Sequence, residues 1–195
     1  MPFPLKNRLR AVACDLSAMN RPHRTFVVIL IQLKLNNMDT SKENNPSYSH
    51  QDSTAVSLTN DEWKKILPSK VYEVARLKGT ERPGSSPFES SREIGTYYCA
   101  VCGNALFRSD TKFESGCGWP SFYEPISKSS IIYLPDHTHG MERTEVECGR
   151  CKSHLGHVFN DGPPPTHLRY CINGVVLDFE KAKDAEEKYN ATKKS

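Results

Sequence analysis

The sequence predicts a mainly β protein: an antiparallel sandwich or barrel, preceded by short helices and pinned by a structural metal. Two observations carry this. From Gly95 onward, short apolar runs alternate with glycine and proline turns, the pattern of many short antiparallel strands. Within that region two C-x-x-C knuckles, Cys99/Cys102 and Cys148/Cys151, have the spacing of a four-thiolate zinc site.

The elements follow in chain order. Residues 1–37 hold Lys6, Arg8, Arg10, Arg21, Arg24 and Lys34 against the single acid Asp15. An Arg-rich, acid-poor start resembles a mitochondrial presequence; the alternative is an upstream extension without function, with Met38 as the working start and a cytoplasmic product. The apolar stretch Phe26 to Ile31 is short, and Cys14 in this segment is assigned no role. Residues 38–58, rich in Ser, Asn, Thr, Asp and Lys, bury too little apolar surface to offset chain entropy and are expected to be a disordered linker.

Order is expected from Thr59. Thr59-Asn60-Asp61-Glu62 reads as a capping box ahead of Trp63, Ile66 and Leu67, and Pro68 ends that helix. Ser69 is read as the cap of a second helix carrying Val71, Val74, Ala75 and Leu77, stopping at Gly79. Residues 80–94, with Pro83, Gly84 and Pro87, read as loop. Strands are predicted at Thr96–Tyr98, Ala105–Phe107, Ile131–Leu134, Arg143–Glu147, Arg169–Ile172 and Val175–Phe179. The last alternates, with Val175, Leu177 and Phe179 on one face. Residues 181–195 form a charged tail, read as a frayed helix.

In the knuckles, two intervening residues let both sulfurs of a pair face one point about 2.3 Å away, and four thiolates leave no open position on zinc. The metal is therefore expected to be structural, with binding energy on the order of 10–16 kcal/mol coupled to folding. Two disulfides, within or across the pairs, are the alternative. A single dithiol redox motif would not explain two pairs.

The knuckles leave Cys117 and Cys171 outside the metal site. If 168–174 is a strand, Arg169, Cys171 and Asn173 project from one face, and the cation favours the thiolate of a group whose free pKa is about 8.5. The alternative is a buried cysteine acting as a small hydrophobe. Cys117 sits between Gly116 and Gly118, on a loop mobile enough to carry a thiol toward a partner whose Cα must come within about 4.4–6.8 Å. A tight turn with an incidental thiol is the other reading. Trp119 and Phe122 either wall an apolar pocket or belong to the core. His154 and His157 would point to opposite faces of an extended segment unless a turn at Gly156 brings them together; a histidine near a thiol can act as acid or base. His137, His139 and His167 read as loop residues.

Composition sets outer bounds. The 195 residues, 37% hydrophobic and 25% charged, allow one domain plus tails. A net charge of +3 is too mild to argue for nucleic acid. No run of eighteen apolar residues marks a transmembrane helix. Seven cysteines without a clear secretory leader point to a reducing compartment with metal-bound or reactive thiols.

Together, Tyr97–Leu106, Lys112–Pro125, Cys148–Asp161 and Arg169–Asn173 resemble the methionine sulfoxide reductase B family, the methionine-R-sulfoxide reductases. The resemblance covers roughly residues 60–180. It implies a catalytic domain over 59–180 built of two antiparallel sheets forming a sandwich or barrel-like core, with short N-terminal helices and a structural zinc. It implies Cys171 as nucleophile, Cys117 as resolving cysteine, and His154, His157 and Asn173 as catalytic residues. Trp119, Phe159 and Arg169 would bind substrate, and Cys99, Cys102, Cys148 and Cys151 would hold Zn2+, with no organic cofactor. The chain departs from the family in its basic start, its low-complexity segment and Gly174, where serine is more usual.

The implied activity is thiol-dependent reduction of methionine-R-sulfoxide through a Cys171 sulfenic acid and a Cys117–Cys171 disulfide; the substrate is the residue in proteins, and whether the free amino acid is also reduced stays open. The expected partners are oxidised methionine and thioredoxin or a similar dithiol. No nucleic acid or membrane partner is expected, and the chain is expected to act as a monomer. The rival from another class is a zinc-ribbon-like binding module recruiting a protein or nucleic acid. It explains the knuckles but not Cys117, Cys171 and Trp119.

Overall fold

The computed structural model describes residue 42 and residues 44–192, so the basic extension and Cys14 lie outside the described residues. Two short helices open the domain. Helix α1 (Asn60–Ile66) starts at the Thr59/Glu62 capping box expected from the sequence, both halves of which form. Helix α2 (Ser69–Leu77) differs at both ends from expectation. Pro68, not Ser69, is its N-cap, and the left-handed residue that ends it is Lys78 at φ 56°, one before Gly79.

Among the described residues nine strands follow: β1 (Gly95–Cys99), β2 (Ala105–Arg108), β3 (Lys112–Phe113), β4 (Ser121–Phe122), β5 (Ile131–Asp136), β6 (Arg143–Cys148), β7 (His154–Phe159), β8 (Arg169–Ile172) and β9 (Leu177–Lys181). They form two sheets, in the orders β2-β1-β9 and β3-β4-β8-β7-β6-β5, with every pairing antiparallel. The protein is therefore mainly β, with two antiparallel sheets and few helices. Helix α3 (Ala182–Thr192) occupies the charged tail. Among the described residues no helix is long and apolar enough to cross a membrane.

An aromatic seam runs through the core. Phe107 of β2 stacks on Phe122 of β4 with centroids 4.4 Å apart, Tyr97 of β1 meets Phe122 edge-on at 5.0 Å, and Phe107 lies 5.7 Å from Tyr170 of β8. Aromatic pairs in this range add to the burial of their large surfaces. Phe122 is fully buried and belongs to this core, not to a pocket wall. Trp63 anchors α1 to the same core.

One strand expectation is revised and one strand is added, for one physical reason, tertiary hydrogen bonding. Residues 174–176 form a 3-10 turn instead of the start of β9, because the N–H groups of Gly174 and Val175 donate to the Glu81 carboxylate and not to a ladder. Residues 154–159 form β7 despite lacking apolar alternation, because β6 and β8 pair with it on both sides.

The expectation of disorder over 38–58 fails for residues 44–58. This segment lies as a strap across the knuckles. Asn45 Nδ2 donates to Val101 O at 2.7 Å, and Ser49 N donates to Cys102 O at 3.0 Å. Arg150, inside the second knuckle and buried, donates to the carbonyls of Ser47, Ser49, Thr54 and Cys102 and pairs with Asp52 at 2.8 Å. Low apolar content predicts disorder when a segment must form its own core. Here polar contacts to a preformed surface replace that core.

Candidate functional site

The site is a row across the larger sheet. Cys171 of β8 pairs with Ser121 of β4 on one side and His157 of β7 on the other, and His157 pairs in turn with Glu145 of β6. Directly opposed residues of antiparallel strands project to the same face with Cβ atoms about 5 Å apart, so a hydroxyl, a thiol, an imidazole and a carboxylate share one surface. β7 can pack this tightly on β8 because residue 156 is glycine: a Cβ there would stand 2.0 Å from Cys171 O.

Cys117 arrives from the loop between β3 and β4. Its flanking glycines adopt φ of 72° and 90°, the left-handed region that favours glycine. The loop brings Cys117 Sγ to 3.5 Å from Cys171 Sγ, with both residues half-buried. Ser115 Oγ donates to Cys117 Sγ at 3.0 Å, and Ser121 Oγ lies 3.5 Å away.

The two thiols divide one charge. Burial pushes Cys117 up, but hydrogen bonds from Ser115 and Ser121 outweigh it and bring its pKa down to about 7. Cys171 is pushed up to about 12, first by burial and then by the charge of Cys117, with Arg169 pulling only weakly the other way. Arg169 is thus beside the thiol as the sequence suggested, but it does not hold Cys171 as the thiolate of the resting pair. Part of the reason is its own partner: Asp161 takes two of its N–H groups at 2.9 Å each. Its guanidinium also lies 4.5 Å from the centroid of the Phe159 ring, giving a cation-capped aromatic wall.

His154 and His157 come together, though not by a turn. Val146 pairs with Gly156 while Glu147 pairs with His154, so Leu155 is an extra residue in β7. This bulge brings the two rings to 5.6 Å, edge to face. Each ring has its own carboxylate: His154 Nδ1 lies 2.7 Å from Glu145 Oε1, and His157 Nε2 lies 2.7 Å from Asp136 Oδ2. Burial lowers the pKa of His154 against the pull of Glu145. Lys78 and Arg143 complete the two chains, at 2.7 Å from Glu145 and 2.6 Å from Asp136.

Trp119 is half-buried beside Cys117, its Nε1 donating to Glu81 O at 3.2 Å. Asn173 is held through its side-chain amide. Its Nδ2 donates to Leu155 O at 3.0 Å and its Oδ1 accepts from Glu81 N at 3.0 Å, so both ends of the amide are committed to backbone. These bonds brace the residue two positions after Cys171. Gly174 is explained by packing, since a Cβ there would lie 1.9 Å from Ser86 Oγ.

The knuckle cysteines form a second, separate cluster. All four are buried, with sulfurs within 4.8 Å of one another. Cys99 Sγ and Cys151 Sγ are 3.8 Å apart, and Cys102 Sγ and Cys148 Sγ 3.6 Å. A tetrahedron with 2.3 Å metal–sulfur bonds has edges of about 3.8 Å, so the thiols already stand at the corners such an ion requires. Disulfides, with sulfurs about 2.05 Å apart, do not match these separations.

Sequence reading missed Asp136, Glu145, Asp161, Glu81, Ser115 and Ser121. The serines flank Cys117 closely enough to have been weighed. The four acids lie on other segments, and no local pattern ties them to the residues they hold.

Two thiols in near contact, backed by carboxylate-paired histidines and kept apart from a closed four-sulfur cluster, define a dithiol oxidoreductase on a two-sheet β scaffold. Residues 67–181 match the SelR domain. The chain is 58% identical over 124 residues, 64% of its length, to "Peptide methionine sulfoxide reductase MsrB" of Pseudomonas putida F1, covering 95% of that protein. A protein of the same name from Pseudomonas entomophila is 56% identical over 125 residues, with 64% and 95% of the two chains covered. A third, from Pseudomonas syringae pv. syringae, is 58% identical over 121 residues, with 62% and 92% covered. The chain belongs to the methionine sulfoxide reductase B family and is an oxidoreductase.

Proposed function

We propose that this protein reduces methionine-R-sulfoxide in proteins to methionine, with Cys171 as nucleophile, Cys117 as resolving cysteine and a thioredoxin-type dithiol as reductant. The observation that carries the reading is the 3.5 Å separation of Cys117 Sγ and Cys171 Sγ beside His157 and Trp119. Family membership supports the sulfoxide substrate. The choice of the R epimer and the reductant rest on resemblance to relatives.

The cycle begins with the single charge of the thiol pair. A proton passing from Cys171 to the Cys117 thiolate leaves Cys171 as thiolate. Its sulfur attacks the sulfoxide sulfur as His157, its cross-strand neighbour, gives a proton to the sulfoxide oxygen. Asp136 orients that ring and supports its charge. The oxygen then passes to Cys171. The substrate S–O bond breaks, methionine leaves reduced by two electrons, and Cys171 is a sulfenic acid. Cys117, once deprotonated, attacks the Cys171 sulfur; the S–OH bond breaks, water leaves and the disulfide forms. An external dithiol restores both thiols by exchange and leaves as a disulfide. Trp119 and Phe159 supply apolar walls for the thioether. A zinc ion held by Cys99, Cys102, Cys148 and Cys151 would supply structural cross-linking, with no open coordination position for chemistry.

A binding module built on the knuckles is disfavoured because the strap covers them, with Arg150 and Val101 both buried. Mass spectrometry after adding a methyl sulfoxide without reductant tests the choice. The expected product is one Cys117–Cys171 disulfide per sulfoxide consumed, with the R epimer consumed and the S epimer left. Unchanged thiols would overturn the reading.

A further inference from the structure

We infer that Glu81 is a positioning residue for the sulfoxide site, fixing the Trp119 wall to the end of the nucleophile's strand. The inference deepens the proposed function and rests on Trp119 facing substrate.

Glu81 lies in the loop after α2 and uses every polar group it has. Its N–H donates to Asn173 Oδ1 at 3.0 Å, and its C=O accepts from Trp119 Nε1 at 3.2 Å. One carboxylate oxygen accepts from Gly174 N and the other from Val175 N at 3.0 Å. Trp119 stands two residues after Cys117, and Asn173 to Val175 follow Cys171. One residue thus ties the neighbours of both thiols.

The pairing of β4 with β8 holds the backbones of these segments together, but not the indole. An indole has one donor and no acceptor, and in the described residues that donor goes to Glu81. The residues after Glu81 extend the hold. Gly84 N donates to Gly118 O at 2.7 Å, and a Cβ on Gly118 would meet Pro83 at 2.6 Å. Residues 81–84 therefore run across the loop that carries Cys117 and Trp119. The carboxylate bonds to Gly174 and Val175 are charge-assisted and stronger than neutral ones, so they anchor the whole bracket. Glu81 touches neither thiol, and its effect passes through Trp119.

The test uses the full chain with Trp63→Phe, which leaves Trp119 as the only tryptophan; Trp63 Nε1 has no hydrogen-bond partner to lose. Glu81→Ala is expected to make acrylamide quenching of Trp119 about threefold steeper and to raise the KM for a blocked methionine-R-sulfoxide about tenfold, with kcat changed less than about twofold. Iodoacetamide labelling of Cys117 should keep its midpoint near pH 7. Glu81→Gln, which keeps one acceptor oxygen, should fall between wild type and Glu81→Ala. Wild-type quenching and KM in Glu81→Ala would overturn the inference. So would a loss of kcat, thiol titration and melting temperature together in both variants, the mark of a merely structural role. Trp119→Ala separates the two readings. If it leaves KM unchanged while Glu81→Ala still loosens the indole, the assignment of Trp119 to the substrate is what fails, and Glu81 then positions a residue without bearing on the reaction.

Discussion

Cys117 Sγ and Cys171 Sγ lie 3.5 Å apart, about 1.5 Å beyond a covalent S–S bond and close enough to share a proton. With the pKa of Cys117 brought down to about 7 and that of Cys171 pushed up to about 12, the first charge of the pair rests on Cys117. The Cys117 thiolate is present above its folded pKa and lost below it, so iodoacetamide should label Cys117 first. Labelling should be half-maximal near pH 7 and fall about tenfold per pH unit below that. Peptide mapping after brief alkylation reads this out, and prior labelling of Cys171 would contradict the charge assignment.

The two cysteines separate by turnover. Cys171→Ser should abolish reduction even in a single turnover. Cys117→Ser should release one methionine per chain and then stall when a thioredoxin-type dithiol is the reductant. Quench-flow measurement of methionine released per enzyme distinguishes the two, and recycling that survives in Cys117→Ser would remove the resolving role.

Asp136 should matter through His157. Asp136→Asn keeps the size of the group that holds His157 Nε2 but removes the charge that supports a protonated ring. The expected result is a fall in kcat of about tenfold to hundredfold with KM nearly unchanged, as when a general acid is weakened. Equal losses in kcat and in substrate affinity would place Asp136 in binding instead.

Arg150 should govern both stability and metal retention. Truncation to alanine leaves the carbonyls of Ser47, Ser49, Thr54 and Cys102 without its N–H groups and Asp52 without its partner. The expected cost is about 2–4 kcal/mol in urea unfolding, since the lost bonds involve a buried charge. Zinc transfer to a chromophoric chelator should accelerate in parallel. Unchanged release with lowered stability would limit the strap to a general packing role.

Glu145 ties stability to acid. Burial pushes its carboxyl up, but Lys78 and His154 outweigh this and hold it below the usual carboxylate range. A depressed folded pKa contributes stability that is complete above the unfolded value, about 4.5, and is lost as pH falls through the folded one. Denaturant titrations from pH 7 to pH 3 should show this loss, and Glu145→Gln should flatten it.

Much of this protein is legible in its residues because its strongest signals are local. The Thr59 capping box, the paired knuckles and the glycines around Cys117 each state their geometry within a few positions. Residues 154–159 do not: two histidines and a glycine carry no strand pattern, and the bulge at Leu155 exists only because β6 pairs out of step on one edge. The same limit hid Asp136 and Glu145, whose importance arises when separate strands bring them to the imidazoles. The backbone partners of Asn173 are hidden for a related reason. Alternation places its side chain near the thiol's face, but the buried amide finds backbone partners first. Residues 44–58 fail differently, since composition reports what a segment can bury by itself and not what an existing surface can satisfy.

The position of Arg150 also bears on maturation. Its partners extend from Ser47 to Thr54, and Asn45 is fastened to Val101. A processing protease that cuts ahead of residue 44 would leave every one of these tethers in place, whereas trimming inside 47–54 would uncover the sulfur cluster. The foremost of these tethers, at Asn45, stands some fifteen residues before helix α1, so the cover over the sulfur cluster is drawn from chain that precedes the helical start of the domain.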